Sequence, residues 1–304
     1  MTGLAIITDP ATFATVLRVM TPLLIAALGI LISDRAGVFN LGMEGMMLTG
    51  ALAGVLVSAW TGSAWLGLSA AIVAGGLIGA LMAFAVNGLG ANLIIAGIAV
   101  NLAASSGTTL GLFFATGDKG MSGALRSGVM PSLDLPFVRD IPGIGPLVSG
   151  HNVLTYGALL AVPLISLMMA RTAFGLRIRA VGVDPKAAAT VGISVKLIQL
   201  QALVLSGMLG GMAGAYLSMG YVSWFAQDMT AGRGFIAIAI EVMGMGTAWG
   251  TLAATIVIAI AETLAITMQT FGLPNELMQM IPYVVPIVIL TIWTARGRAR
   301  PAGR

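Results

Sequence analysis

Apolar runs about as long as a membrane-spanning helix follow one another along almost the entire chain, separated by short polar or glycine-rich breaks. A helix needs roughly 20 mostly apolar residues to cross the hydrocarbon core of a bilayer. The runs that approach this length cover residues 12–33, 37–59, 64–86, 92–116, 152–170, 199–221, 234–247, 250–270 and 278–295. The pattern predicts an all-α, polytopic membrane helix bundle with about nine spans.

The composition excludes a soluble fold. Only 9% of the residues are charged and 58% are hydrophobic, whereas a soluble domain carries about 25% charged residues. The 41 glycines agree with a membrane bundle, because small residues let helices pack closely in lipid. The chain has no cysteine and a single histidine, His151, so it has neither disulfides nor the ligands of an ordinary zinc site. We therefore predict no metal site.

Basic residues cluster in two places, which predicts the orientation of the chain. Cytoplasmic loops of membrane proteins carry an excess of Lys and Arg. Residues 171–198 hold five basic side chains, and the tail 296–304 is rich in arginine. With both segments in the cytoplasm, the N-terminus lies outside, the C-terminus lies inside, and residues 117–151 form an external loop. The prediction is a single transmembrane domain over residues 1–304 in the cell (inner) membrane, with no nucleic-acid partner.

Motifs for nucleotide binding and hydrolysis are absent from the sequence. No lysine lies in G-x-x-x-x-G-K-[ST], one histidine cannot form H-E-x-x-H, and no serine lies in G-x-S-x-G. The chain is therefore not expected to be an enzyme, and no catalytic residue is assigned. The remaining classes are a pore, a carrier driven by an ion gradient, and the membrane part of a larger machine.

A short helix is predicted outside the membrane, within residues 171–198. Asp184 suits the N-cap position, Pro185 suits the first helical position, and Gly192 suits a left-handed stop. Such a helix is too short to be stable alone, so it is expected to rest in a groove on a partner protein. An ordinary interhelical turn is the alternative.

Polar residues inside the predicted spans are candidates for a solute pathway, because an ionisable group in hydrocarbon needs a partner or a watery cavity. Asn40 and Glu44, spaced i, i+4, are predicted to share one helical face with Met47. The alternative for each residue is helix-to-helix bonding, which is favoured for Glu44, whereas Glu241 is the first choice for the pathway. The candidates for a path taken by a neutral, hydroxyl-rich solute are Asn40, Glu44, Asn101, Ser105, Glu241 and Glu262.

Three stretches of the sequence resemble one family of transport proteins. GLRIRAVGVDPKAAATVGIS, residues 175–194, resembles the coupling loop of ABC-transporter permeases in the branched-chain amino acid and simple-sugar importer superfamily. ISDRAGVFNLGMEGMMLTGALAG, residues 32–54, is similar to the nucleoside-type permeases that work with basic membrane lipoprotein-type binding proteins. TAGRGFIAIAIEVMGMGTAWGTLAA, residues 230–254, resembles a third family pattern. Together the stretches extend over most of the chain.

The resemblance implies the permease subunit of an ATP-driven importer for nucleosides. It implies cytoplasmic ATPase subunits that bind the ATP, so that this chain holds no cofactor, together with a second, different permease chain and an external substrate-binding lipoprotein. A simple-sugar or riboflavin-type importer remains open, as does a proton-coupled carrier that uses the intramembrane carboxylates. The resemblance also implies a coupling helix that contacts the ATPase, formed by Asp184, Pro185, Lys186, Ala187, Ala188, Ala189 and Gly192.

Overall fold

The computed structural model describes residues 10–123, 125–134, 149–269 and 275–298. Within these ranges the chain is predominantly helical. A π-helical turn, Phe84–Gly88, directly follows the helix that ends at Ala83, and the strands β1 (Ser132–Leu133) and β2 (His151–Asn152) form an antiparallel pair. The α-helices, numbered in chain order, are α1 (Pro10–Asp34), α2 (Met43–Thr61), α3 (Ala64–Ala83), α4 (Leu93–Thr116), α5 (Val153–Arg171), α6 (Ala173–Val183), α7 (Pro185–Thr190), α8 (Val195–Met219), α9 (Arg233–Met243), α10 (Ala248–Gln269) and α11 (Asn275–Arg298).

Seven helices in the described ranges are long and apolar enough to cross a membrane, namely α1 to α5, α8 and α10. The prediction of a polytopic bundle of membrane helices is therefore confirmed. The count of nine spans is not confirmed, because α9, in place of the predicted span 234–247, has only 11 residues. At 1.5 Å per residue α9 is about 16 Å long, roughly half the thickness of the hydrocarbon core. The last predicted span falls within α11, which contains the apolar stretch Met280–Thr291.

Glycines hold the centre of the bundle together. Helix α8 packs along α1, α2 and α3, and its Gly207 and Gly211 face glycines of α2 and α3. A Cβ atom added to Gly75 of α3 would collide with the carbonyl oxygen of Gly207, and one added to Gly50 of α2 would collide with Gly211. Because these backbones touch, only glycine fits along the contact, which we call the glycine seam. The seam allows the close helix approach that stabilises membrane bundles.

The bundle has two distinguishable ends. Helix α1 stops at Asp34, and there Gly182 of α6 lies against the backbone of Arg35. At the opposite end, the Asn152 amide donates hydrogen bonds to the carbonyl oxygens of Gly220, at 2.8 Å, and Met130, at 3.1 Å. We call these the Asp34 end and the Gly220 end. Parts of the predicted external loop, residues 124 and 135–148, and residues 299–304 of the predicted tail lie outside the described residues.

Candidate functional site

Helix α2 begins inside the bundle rather than at its surface. The Oδ1 atom of Asn101 on α4 accepts a hydrogen bond from the backbone N–H of Gly45 at 2.9 Å, and its Nδ2 atom donates to the carbonyl of Leu41 at 2.8 Å. Asn101 lies about 12 Å along α4 from its first residue. The first turn of α2 is therefore fixed well inside the bundle, and Asn101 serves as its anchor.

The prediction that Asn40 shares a helical face with Glu44 and Met47 is wrong for Asn40. Helix α2 starts at Met43, so Asn40 precedes the helix and lies in the turn that enters it. The Asn40 side chain is fully buried, accepts a hydrogen bond from the Gly42 N–H at 3.0 Å and donates to Ser206 Oγ at 2.8 Å. Asparagine commonly bonds to nearby backbone in this way and competes with helix formation. Asn40 therefore stabilises the turn.

Glu44 closes the N-terminus of α9. Its Oε1 atom accepts hydrogen bonds from Thr230 Oγ1 at 2.6 Å and from the Gly232 N–H at 2.8 Å, and its Oε2 atom accepts one from the Gly234 N–H at 2.6 Å. The first N–H groups of a helix have no partner within the helix and carry a partial positive charge. Here the Glu44 carboxylate, which belongs to α2, accepts hydrogen bonds from the N–H groups of Gly232 and Gly234. Helix α9 therefore starts beside the first turn of α2, inside the bundle.

Residues 220–232 run from the Gly220 end into the interior without forming a helix. Near that end Ser122 donates its backbone N–H to the Phe225 carbonyl at 2.8 Å. Further in, Ser105 of α4 donates its hydroxyl to Asp228 Oδ1 at 2.8 Å, about 16 Å along α4 from its last residue. The segment then reaches Glu44 through Thr230. It is a non-helical path across about half of the bundle.

Such a path is tolerated in a membrane protein only where protein covers it or where it lines a water-filled cavity. Asp228 is exposed, and a charged carboxylate at membrane depth needs water or a partner. Asp228 and Ala231 also have positive φ angles, 50° and 46°, a conformation that non-glycine residues adopt at a cost and that is frequent at functional sites. Both features indicate a water-accessible, functional surface along residues 227–232, which we call the wet surface.

Arg233 and Glu262 form an ion pair beside this surface. Arg233 Nη2 lies 3.0 Å from Glu262 Oε1, and the Tyr283 hydroxyl donates to the Ala231 carbonyl at 2.9 Å. The three side chains line a cavity of about 300 Å³ together with Gln269. Among the described residues, Glu262 Oε2 is buried without a hydrogen-bond partner. The cavity wall therefore combines the Arg233–Glu262 ion pair with the Tyr283 hydroxyl and the Gln269 amide.

Glu241 lies apart from the other candidates, near the far end of α9. It is 2% exposed and stands about 10 Å along the helix from Gly234. Just beyond it the helix ends, and Met245 and Gly246 adopt positive φ angles of 52° and 62°. Arg35 donates to the carbonyls of both, from Nε to Gly246 at 2.7 Å and from Nη2 to Met245 at 3.1 Å. The chain therefore breaks between α9 and α10 beside Glu241, and Arg35 holds this break at the Asp34 end.

The short helix predicted within residues 171–198 is present as α7. Asp184 Oδ1 accepts hydrogen bonds from the backbone N–H groups of Lys186 at 2.9 Å and Ala187 at 3.0 Å, and Pro185 opens the helix. Gly192 follows with a φ of 83°. Of the six helical residues only Ala188 is buried. Helix α7 therefore stands at the surface as a capped unit, and its role in coupling stays a prediction.

The structure brings some of the candidate residues together and separates others. Glu44, Ser105 and Glu262 contact one continuous segment, residues 228–233. Asn40 and Asn101 hold the entry to α2, and Glu241 lies elsewhere. Asp228 and Arg233 were missed, because both fall between the predicted spans 199–221 and 234–247. The signal that could have identified them was the pair of opposite charges at the TAGRGF motif, with Arg233 inside it and Asp228 two residues before it.

Comparisons with known proteins support the transport family that the three sequence stretches resemble. A family model described as branched-chain amino acid transport system / permease component matches residues 12–290. TsgC13 of Haloferax volcanii is 34% identical over 89% of this chain and 88% of its own length. Its name describes it, provisionally, as a glucose ABC transporter permease. The guanosine ABC transporter permease NupQ of Bacillus subtilis is 33% identical over 92% and 91%. The nucleoside ABC transporter permease NupC of Lactococcus lactis is 30% identical over 95% and 94%.

No solved structure gives a significant match to the chain. The family match and the apolar helices together make the chain an integral, multi-pass protein of the inner membrane. The relatives align along nearly their whole length, so the similarity concerns the complete permease rather than one segment.

Proposed function

Because the chain belongs to the family of permease components of branched-chain amino acid transport systems, we propose that it imports nucleosides as the transmembrane subunit of an ATP-driven ABC transporter. The assignment of nucleosides as the substrate rests on the match to NupQ and NupC. These relatives are named for guanosine and nucleosides and align over more than nine-tenths of this chain. Permeases of this family act with ATPase subunits and binding proteins. This chain supplies the passage through the membrane.

The chain crosses the membrane nine times in this proposal, with its N-terminus outside and its C-terminus in the cytoplasm. The seventh crossing combines the non-helical residues 220–232 with the half-length helix α9. Discontinuous spans of this kind place substrate sites near the midplane of other transporters. The basic residues of 171–198 put the Asp34 end in the cytoplasm.

The pathway runs along the wet surface formed by residues 227–232 and the adjoining side chains. Ser105 and Asp228 present hydroxyl and carboxylate groups there, and the Arg233–Glu262 ion pair lies beside them. A nucleoside carries ribose hydroxyls and base N–H groups that exchange hydrogen bonds with such groups. Glu44 is occupied by three donors, so its part is to hold α9 in place.

ATP-driven motion enters through α7 and reaches the pathway through Arg35. Helix α7 directly follows α6, whose Gly182 would collide with the Arg35 carbonyl if it carried a Cβ atom. Arg35 in turn fastens the Met245–Gly246 turn at the end of α9, and Glu44 holds the other end of α9 to α2. These contacts form a continuous mechanical connection from the ATPase-facing helix to the pathway-lining segment.

A second permease chain and an external lipoprotein complete the proposed transporter. Helix α4 is the least buried of the seven candidate spans, and its exposed face carries Ile95, Leu102 and Phe114. This face and the adjoining wet surface support pairing with another permease, which we propose to be a different chain. The lipoprotein delivers its cargo at the Gly220 end.

Uptake of labelled guanosine into cells with and without this chain tests the substrate. We expect guanosine uptake that depends on the chain. Excess unlabelled adenosine should reduce this uptake by competition, whereas excess glucose should not. The match to TsgC13 favours glucose as the rival cargo. Chain-dependent uptake of glucose with no uptake of guanosine would replace the nucleoside assignment.

A further inference from the structure

A second cavity, of about 360 Å³, lies at the Asp34 end and is separate from the pathway. It is formed where α1, α5, α6 and the start of α10 meet. Its polar side chains include Arg35, Ser166, Arg179 and Trp249, and none of the described residues that line it carries a carboxylate. The wall is therefore rich in hydrogen-bond donors and positive charge, which suits an anion.

The charge available to an anion comes chiefly from Arg179. Arg35 already donates to two carbonyl oxygens, and the nearby carboxylates of Glu241 and Asp34 interact with its charge. Arg179 is exposed on α6 and forms no ion pair among the described residues. A guanidinium is a rigid fork of donors that matches the oxygens of a phosphate group. Arg179 is thus the residue best placed to bind one.

The apolar residues that line the cavity favour a lipid over a free inorganic ion as its ligand. Met169, near the end of α5, is partly exposed and gives the cavity an apolar side, and the buried Leu31 lines it from within the bundle. Trp249 is 58% exposed, and tryptophan favours the boundary between headgroups and hydrocarbon. Basic pockets between helices on the cytoplasmic side bind anionic headgroups. The two arginines match the charged headgroup of a phospholipid, and the apolar wall beside them matches the upper part of its acyl chains.

We propose that this cavity binds the phosphodiester of an anionic phospholipid, with Arg179 and Arg35 contacting the phosphate and Ser166 lining its site. The assignment of this end to the cytoplasmic leaflet follows from the proposed orientation, whereas the binding itself does not depend on the transported substrate. Occupancy places a lipid beside the Met245–Gly246 turn and so adds to the support of the end of α9.

Lipid binding to the purified full-length transporter, followed by native mass spectrometry, tests this site. The probes are phosphatidylglycerol, phosphatidylcholine and inorganic phosphate. Arg179→Gln removes the available charge, and Ser166→Phe fills the cavity without changing charge. Arg177→Gln is the matched control, because Arg177 is exposed on the same helix but does not line the cavity. Thermal unfolding of each variant establishes that it is folded.

The expected result is preferential binding of phosphatidylglycerol that Arg177→Gln retains and that Arg179→Gln and Ser166→Phe each weaken about fivefold. Equal affinities for the Arg179→Gln and Arg177→Gln variants would overturn the site. Displacement of phosphatidylglycerol by inorganic phosphate at equal concentration would make it a phosphate site instead. Equal binding of phosphatidylcholine would overturn the selectivity for anionic lipid. None of these outcomes depends on guanosine uptake, so failure here and failure of the nucleoside assignment are distinguishable.

Discussion

The Oε2 atom of Glu44 accepts a hydrogen bond from the backbone N–H of Gly234 at 2.6 Å, and this contact joins the first turn of α2 to the first turn of α9. With the bonds from Thr230 and Gly232, it fixes the point at which a half-length helix begins inside the bundle. The non-helical segment 220–232 thus has a defined inner end.

Glu44→Ala is expected to destabilise the protein. The substitution leaves the backbone N–H groups of Gly232 and Gly234 without their acceptor, and each unsatisfied buried donor costs about 1–3 kcal/mol. Glu44→Gln should be milder, because its amide oxygen still accepts a hydrogen bond. Thermal unfolding in detergent measures the order wild type, Glu44→Gln, Glu44→Ala. Equal midpoints for wild type and Glu44→Ala would show that the carboxylate does not hold α9.

The glycine seam predicts a second effect on stability. In Gly75→Ala the new methyl group meets the Gly207 backbone, so the α3–α8 contact must open, and overpacking costs about 1–3 kcal/mol. Gly107→Ala is the matched control, because an added Cβ there meets no atom within 4 Å. Unfolding midpoints should fall for Gly75→Ala and stay near wild type for Gly107→Ala. The seam is contradicted if the two variants are equally stable.

Asp228→Asn tests the wet surface. Asparagine still accepts the Ser105 hydroxyl, so the fold should persist while the charge at membrane depth is lost. We expect guanosine uptake to fall about tenfold, equivalent to about 1.4 kcal/mol, with ATP hydrolysis retained. Asp118→Asn, an exposed carboxylate that accepts the Gly120 N–H at the Gly220 end, serves as the control. Uptake unaffected by Asp228→Asn would remove this residue from the pathway.

Arg35→Gln is expected to uncouple ATP hydrolysis from uptake. It removes the guanidinium that fastens the Met245–Gly246 turn, so motion of α7 should no longer reach α9. We expect about tenfold less guanosine transported per ATP, equivalent to about 1.4 kcal/mol, with partial recovery in Arg35→Lys. Arg177→Gln removes an equal charge from the α6 surface and should be normal, whereas deletion of residues 185–190 sets the uncoupled baseline. An unchanged ratio of uptake to hydrolysis in Arg35→Gln would exclude the connection through Arg35.

Local features of the fold were predictable, whereas contacts between distant residues were not. Helix α7 could be predicted because Asp184, Pro185 and Gly192 act within a few residues of one another. The start of α2 was placed too early, since residues 37–42 are largely apolar and continue the pattern of a span. The contact between Glu44 and Gly232 joins residues 188 positions apart, and that between Ser105 and Asp228 spans 123. Such pairs depend on how the helices pack, which the periodicity of one helix does not record.

The energy source is tested most directly by guanosine uptake into proteoliposomes that contain this chain, its permease partner, the ATPase subunits and the binding protein. The proposed mechanism predicts uptake that requires ATP on the ATPase side, stops with vanadate and is unaffected when a pH gradient is collapsed. Uptake that survives vanadate but disappears with the proton gradient would contradict it, and would make the protein a proton-coupled carrier.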